Sequence, residues 1–116
     1  MNLKNFSHVN RLRCEHPEGF NHNLNDWSLS DWFTAMLGEF GEAANVAKKL
    51  NRFRDGIRGN KETKEQLQEQ LEDELADVFI YLDLLAQRSG FDLSDAVVRV
   101  FNRKSDSLGC QIKLAP

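Results

Sequence analysis

Two short runs carry the residues best suited to do chemistry, Glu39-Phe40-Gly41-Glu42 and Glu74-Leu75-Ala76-Asp77. In each, two carboxylates stand three residues apart, a spacing that turns both side chains of a helix towards one point. Each pair interrupts an otherwise apolar face, where an unpaired carboxylate is costly. Facing one another, four such groups repel and raise one another's pKa. Protonation or a bound cation relieves that repulsion. An all-oxygen ligand set suits Mg2+, Mn2+ or Ca2+ rather than zinc. A di-iron bundle would show Glu-x-x-His. Here positions 45 and 77 are Asn and Asp, and His8, His16 and His22 all precede the first pair. Magnesium held by a few carboxylates completes its shell with water and phosphate oxygens, and there it polarises a phosphoryl group and activates water.

The charge layout agrees with a phosphate-bearing ligand. Between Lys48 and Lys64 stand seven basic residues (Lys48, Lys49, Arg52, Arg54, Arg58, Lys61, Lys64) and two acidic ones, Asp55 and Glu62. From Glu65 to Asp83 there are seven acids and no base. An acidic cage beside a basic connector suits a polyanion. A single Glu-x-x-Glu has little weight, since solvated helices carry many. Two pairs on the apolar stripes of successive helices carry the argument. Lys48 and Lys49 also suit a helix C-terminus, and Glu65, Glu69 and Glu72 suit a solvated surface. Trp27, Trp32 and Tyr81 fit a core or interface as well as a base-stacking role.

The elements that must position these pairs are helices. Leu3, Phe6, Val9 and Leu12 predict a helix over residues 3–15, broken at His16-Pro17-Glu18-Gly19. Asn21–Asn25 reads as a polar loop. Ser28 is placed to cap a second helix running to about Leu50 or Arg52, with Trp32, Ala35, Met36, Glu39, Ala43, Val46 and Leu50 on one side. Asn51–Asn60, with Gly56 and Gly59, reads as a mobile connector. Thr63 is placed to cap a third helix from Lys64 to Ser89, closed by Gly90, with Leu71, Leu75, Val78, Leu82 and Leu85 as its stripe. Asp92 and Asp95 open a fourth helix through Val97, Val100 and Phe101, ended by Gly109.

Four helices and no strand pattern predict an all-α, four-helix-bundle-type fold. The 116 residues suffice for one domain: an N-terminal helix and loop over 1–26, core helices over 27–109 and a tail over 110–116. Wide apolar faces on the second and third helices predict burial against a second copy, hence a homo-oligomer, a dimer or a tetramer. A net charge of −3 gives no general attraction to nucleic acid or to an anionic membrane. Cys14 and Cys110 form neither a disulfide framework nor a CxxC site. With no signal-peptide pattern and no apolar run of spanning length, a cytoplasmic setting is expected.

Gly38-Glu39-Phe40-Gly41-Glu42 followed by Glu74-Leu75-Ala76-Asp77-Val78-Phe79-Ile80-Tyr81-Leu82 resembles the MazG-like all-α nucleoside triphosphate pyrophosphatases. Phe101-Asn102-Arg103-Lys104-Ser105 extends the likeness over about residues 27–114. The resemblance implies Mg2+-dependent hydrolysis of a (deoxy)nucleoside triphosphate to a nucleoside monophosphate and pyrophosphate. It implies Glu39, Glu42, Glu74 and Asp77 as metal ligands and catalytic carboxylates. For substrate binding it implies Tyr81 in the nucleotide pocket, Asn102 on the nucleotide and Trp27 near the base. Lys49, where some relatives carry an aromatic, and Arg103, which with Arg99 would have to serve for a lysine that relatives often carry before Asn102, are further substrate-binding candidates. Within the superfamily, dUTP and phosphoribosyl-ATP hydrolysis are alternatives. A non-catalytic helical module that oligomerises and docks a partner on its acidic face is the rival from another class.

Overall fold

The computed structural model describes residues 1–116, which form four α-helices and no strand. In chain order these are α1 (Leu3–Glu15), a 3-10 turn (Leu24–Asp26), α2 (Leu29–Asp55), α3 (Lys64–Arg88) and α4 (Leu93–Leu108). Local chemistry sets most of the ends. Asn2 caps α1 by accepting from the Asn5 amide at 3.1 Å. Thr63 and Gln66 exchange side-chain-to-backbone bonds at 2.9 and 3.1 Å, a capping box that starts α3 where the sequence predicts it. Asp92 accepts from the Asp95 amide at 2.9 Å and starts α4.

The second helix runs about one turn further than its apolar stripe predicts, because its stop signal is Gly56 rather than the polar run beginning at Asn51. Gly56 sits at φ 67°, and the next amide, Ile57, bonds back to the Arg52 carbonyl at 2.9 Å. That left-handed residue with its 6→1 bond satisfies carbonyls that the helix end would otherwise leave open.

The chain divides into two compact units, Ser30–Leu82 and Met1–Leu29 with Asp83–Pro116. In the latter, Cys14, Leu24, Leu84, Leu85 and Ala86 are buried. Asp83, fully buried among them, accepts hydrogen bonds from the Ser7 hydroxyl, from Asn10 Nδ2 at 3.0 Å and from Gln87 Nε2 at 2.9 Å. These donors make burial of its carboxylate tolerable. The stretch expected as a polar loop is tied down: Cys14 Sγ donates to the His22 carbonyl at 3.2 Å, and Glu15 accepts from the Leu24 amide at 2.9 Å.

In the unit Ser30–Leu82, Trp32, Ala43, Val46 and Leu67 are buried. The connector expected to be mobile is fastened to α2. Asn60 Nδ2 donates to the Lys49 carbonyl at 2.7 Å, Arg52 donates to Asn60 Oδ1 at 3.3 Å, and the Lys49 ammonium meets Glu62 at 3.0 Å. Phe33, Leu37 and Phe40 form an exposed apolar row on α2, and Leu75, placed by periodicity in the buried stripe of α3, is also exposed. No helix is long and apolar enough to cross a membrane.

Candidate metal centre

α2 contributes Glu39 and Glu42, and α3 contributes Glu74 and Asp77, all within the unit Ser30–Leu82. Carboxylate oxygens of Glu39, Glu74 and Asp77 lie within 4.8 Å of one another. Glu42, one turn after Glu39 and exposed, is not part of that close group, though its charge acts on both Glu39 and Glu74. Of the four carboxylates that the i, i+3 spacing singles out, three come together: one from α2 and two from α3.

The electrostatics of this cluster are one-sided. The Glu39 carboxyl is raised above its ordinary value, first by lost hydration and then by the charges of Glu42, Asp77 and Glu74. Glu74 is raised too, first by burial, then by its contact with Glu42 and that residue's charge, with Asp77 and Asp73 adding. No positive side chain figures among these influences. Glu74 Oε2 is shielded from solvent and has no hydrogen-bond partner within the protein. A buried acceptor of that kind costs stability until a donor or a cation reaches it. Three converging carboxylates, one with an orphaned oxygen, fit a divalent cation with oxygen preference.

Two residues expected at the substrate site share this unit. Tyr81 lies one turn beyond Asp77, half-buried, with its ring 6.4 Å from that of Trp32 at 53°. Lys49 is half-buried in its pair with Glu62. Trp27, Asn102 and Arg103 belong to the other unit. The Trp27 carbonyl accepts from Arg88 Nε at 2.7 Å, and its ring meets His22 edge-on at 4.6 Å. The Asn102 side chain bonds to the backbone of Leu114. Arg103 is exposed, in a shallow depression with Val100, Lys104 and Ser107.

Sequence reasoning missed the partners of these side chains. Glu62 holds Lys49, and the only hint was its being one of two acids in a basic stretch. Asn60 clamps the connector, and Leu114 engages Asn102; neither leaves a periodic signal. Gly38 and Gly41 each precede a carboxylate of the first pair, and a Cβ at either would meet no neighbouring atom within 4 Å. Packing within the chain therefore does not require glycine there.

The protein-family model of the MazG-like family matches residues 46–112, more than half of the chain. That segment contains Lys49, Glu74, Asp77, Tyr81, Asn102 and Arg103, and it begins after Trp27, Glu39 and Glu42. No curated protein and no solved structure matches the chain.

Proposed function

The chain belongs to the MazG-like family, and from that premise we propose that it is a divalent-metal-dependent nucleoside triphosphate pyrophosphohydrolase. In the proposed reaction, water attacks the α-phosphorus of a (deoxy)nucleoside triphosphate and the bond from that phosphorus to the α–β bridging oxygen breaks. The products are the nucleoside monophosphate and pyrophosphate. Nucleotide-pool control or house-cleaning is the role that such a reaction suits.

The observation that carries this reading is the buried, unpartnered Glu74 Oε2 beside the converging oxygens of Glu39 and Asp77. Glu39, Glu42, Glu74 and Asp77 are the residues that would hold the metal, with Mg2+ first and Mn2+ second. The ion would supply Lewis-acid polarisation of the phosphoryl group and neutralise the charge that develops as the bond breaks. One of these carboxylates would also orient the attacking water and take its proton. Tyr81 and Lys49 are the substrate-binding candidates on the carboxylate-bearing unit, with Trp27, Asn102 and Arg103 on the other.

The exposed row Phe33, Leu37 and Phe40 supports assembly as a homo-oligomer, since apolar side chains at that spacing gain by burial against a second copy. The reaction is tested by incubating the protein and Mg2+ with a panel of canonical and modified nucleoside triphosphates, including dUTP, and measuring pyrophosphate. Release of pyrophosphate with an equal amount of monophosphate supports the reading. Cleavage to diphosphate and phosphate, or no cleavage of any member, rejects it. The panel also decides between general triphosphate and dUTP hydrolysis, and phosphoribosyl-ATP can be added to the same assay.

A further inference from the structure

The segment after α4 turns back along the helix it leaves. Gly109 ends α4 in the left-handed region at φ 69°, and the Cys110 amide bonds to the Ser105 carbonyl at 2.8 Å. The chain then returns past Asp106 and Asn102, which lie one turn apart on α4. Lys113 pairs with Asp106. Leu114 meets Asn102 at two points: Asn102 Nδ2 donates to the Leu114 carbonyl at 2.8 Å, and the Leu114 amide donates to Asn102 Oδ1 at 2.7 Å. The carboxamide thus spends a donor and an acceptor side by side on a backbone edge. A carboxamide uses the same paired donor and acceptor to read the edge of a nucleobase.

What fastens this segment is polar and accessible to water. Ile112 remains 72% exposed and Leu114 39% exposed, so little apolar burial holds them. The Lys113–Asp106 pair is solvent-exposed, and such pairs contribute little. Two hydrogen bonds net of their exchange with water leave a closed state that a ligand can displace.

We propose that residues 110–116 form a displaceable strap, in which the backbone of Leu114 occupies the Asn102 carboxamide until a nucleotide takes its place. The inference rests on the hydrolase reading, and on Asn102 as a nucleotide contact within it. It adds a regulatory step: only the open fraction binds, so the apparent KM exceeds the intrinsic one by the inverse of that fraction. For two hydrogen bonds of ordinary net strength, a factor of about 5–100 is expected.

The test compares the full chain with a variant lacking residues 111–116 and with Leu114→Pro, which removes the amide donor and keeps the carbonyl. Pyrophosphate release with Mg2+ is measured for whichever triphosphate of the panel the full chain cleaves. Deleting 111–116 should lower KM by about 5–100-fold and Leu114→Pro, which loses one of the two bonds, by about 2–10-fold, both with kcat unchanged. Asn102→Ala should raise KM, and deleting 111–116 in that background should give no further change. An unchanged or raised KM in the two variants, or the same gain in the Asn102→Ala background, overturns the strap while the full chain's activity upholds the hydrolase reading. Absence of hydrolysis in every chain overturns both. A segment that only supported α4 would lower the melting temperature without this KM shift, which also counts against the strap.

Discussion

Replacing Glu39 by glutamine keeps the shape of the side chain and takes one charge out of the acidic cluster. Oxygens of Glu39 lie within 4.8 Å of both Glu74 and Asp77. At that separation each like-charged pair repels by about 1 kcal/mol even with water-like screening. Two pairs, halved because the site is only partly buried, leave about 1 kcal/mol of repulsion that the substitution removes. In a chain of this length that corresponds to a melting temperature higher by about 3–6 °C in the presence of a chelator. Magnesium reverses the order. A ligand at a hundred times its dissociation constant stabilises the folded state by about 2.7 kcal/mol, and the variant, short of one ligand, gains much less. Thermal melts followed by circular dichroism, in EDTA and in Mg2+, read both signs. If the variant melts below the parent in EDTA, or if both gain equally from Mg2+, the repulsive-cage reasoning is wrong.

Three further outcomes follow from the same structure. Glu39 and Glu74 are raised above the ordinary value of 4.5, so above that pH the folded state holds protons that the unfolded chain has released. Stability in chelator should therefore fall as pH rises from 4.5 through the raised values, and the Mg2+-induced rise in melting temperature should be smaller at pH 5 than at pH 7.5. Asp83→Ala strips the buried Ser7, Asn10 and Gln87 donors of their common acceptor, which should cost about 3 kcal/mol in a urea denaturation; a loss under ~1 kcal/mol would contradict it. Asn60→Ala removes the bonds to Arg52 and to the Lys49 carbonyl, so limited proteolysis should cut between Ile57 and Lys61 several-fold faster.

The helices were legible because their ends and stripes depend on local spacing, and of the four carboxylates singled out by that spacing three come together. Asn2, Thr63, Asp92 and Gly109 act within three or four residues of themselves, so a reader of the sequence can place the ends they set. The pairs at Glu39 and Glu74 follow from the helical period alone. What escaped depends on contacts that no period encodes. Asn60 reaches back eleven residues to the Lys49 carbonyl, Leu114 reaches back twelve to Asn102, and Leu75 keeps its helical phase yet lies outside the core. Asp83 had a signal that went unused: a lone acid within the apolar run Val78–Ala86, with Ser7 and Asn10 three residues apart on α1 to receive it. The meeting of Glu39, Glu74 and Asp77 was readable, whereas the bond proposed to break rests on the family rather than on the spacing of the acids.

The most direct measurement of the central claim is pyrophosphate release from a cleaved triphosphate, in Mg2+, by the parent and by Glu42→Gln and Asp77→Asn. Each substitution keeps the side chain's size and removes a charge that the metal needs, so the account predicts activity reduced by at least about 100-fold in both. It also predicts that the parent falls to the same level in EDTA and recovers when Mg2+ is restored. Parent-like rates in either variant, or turnover that persists in EDTA, would contradict it.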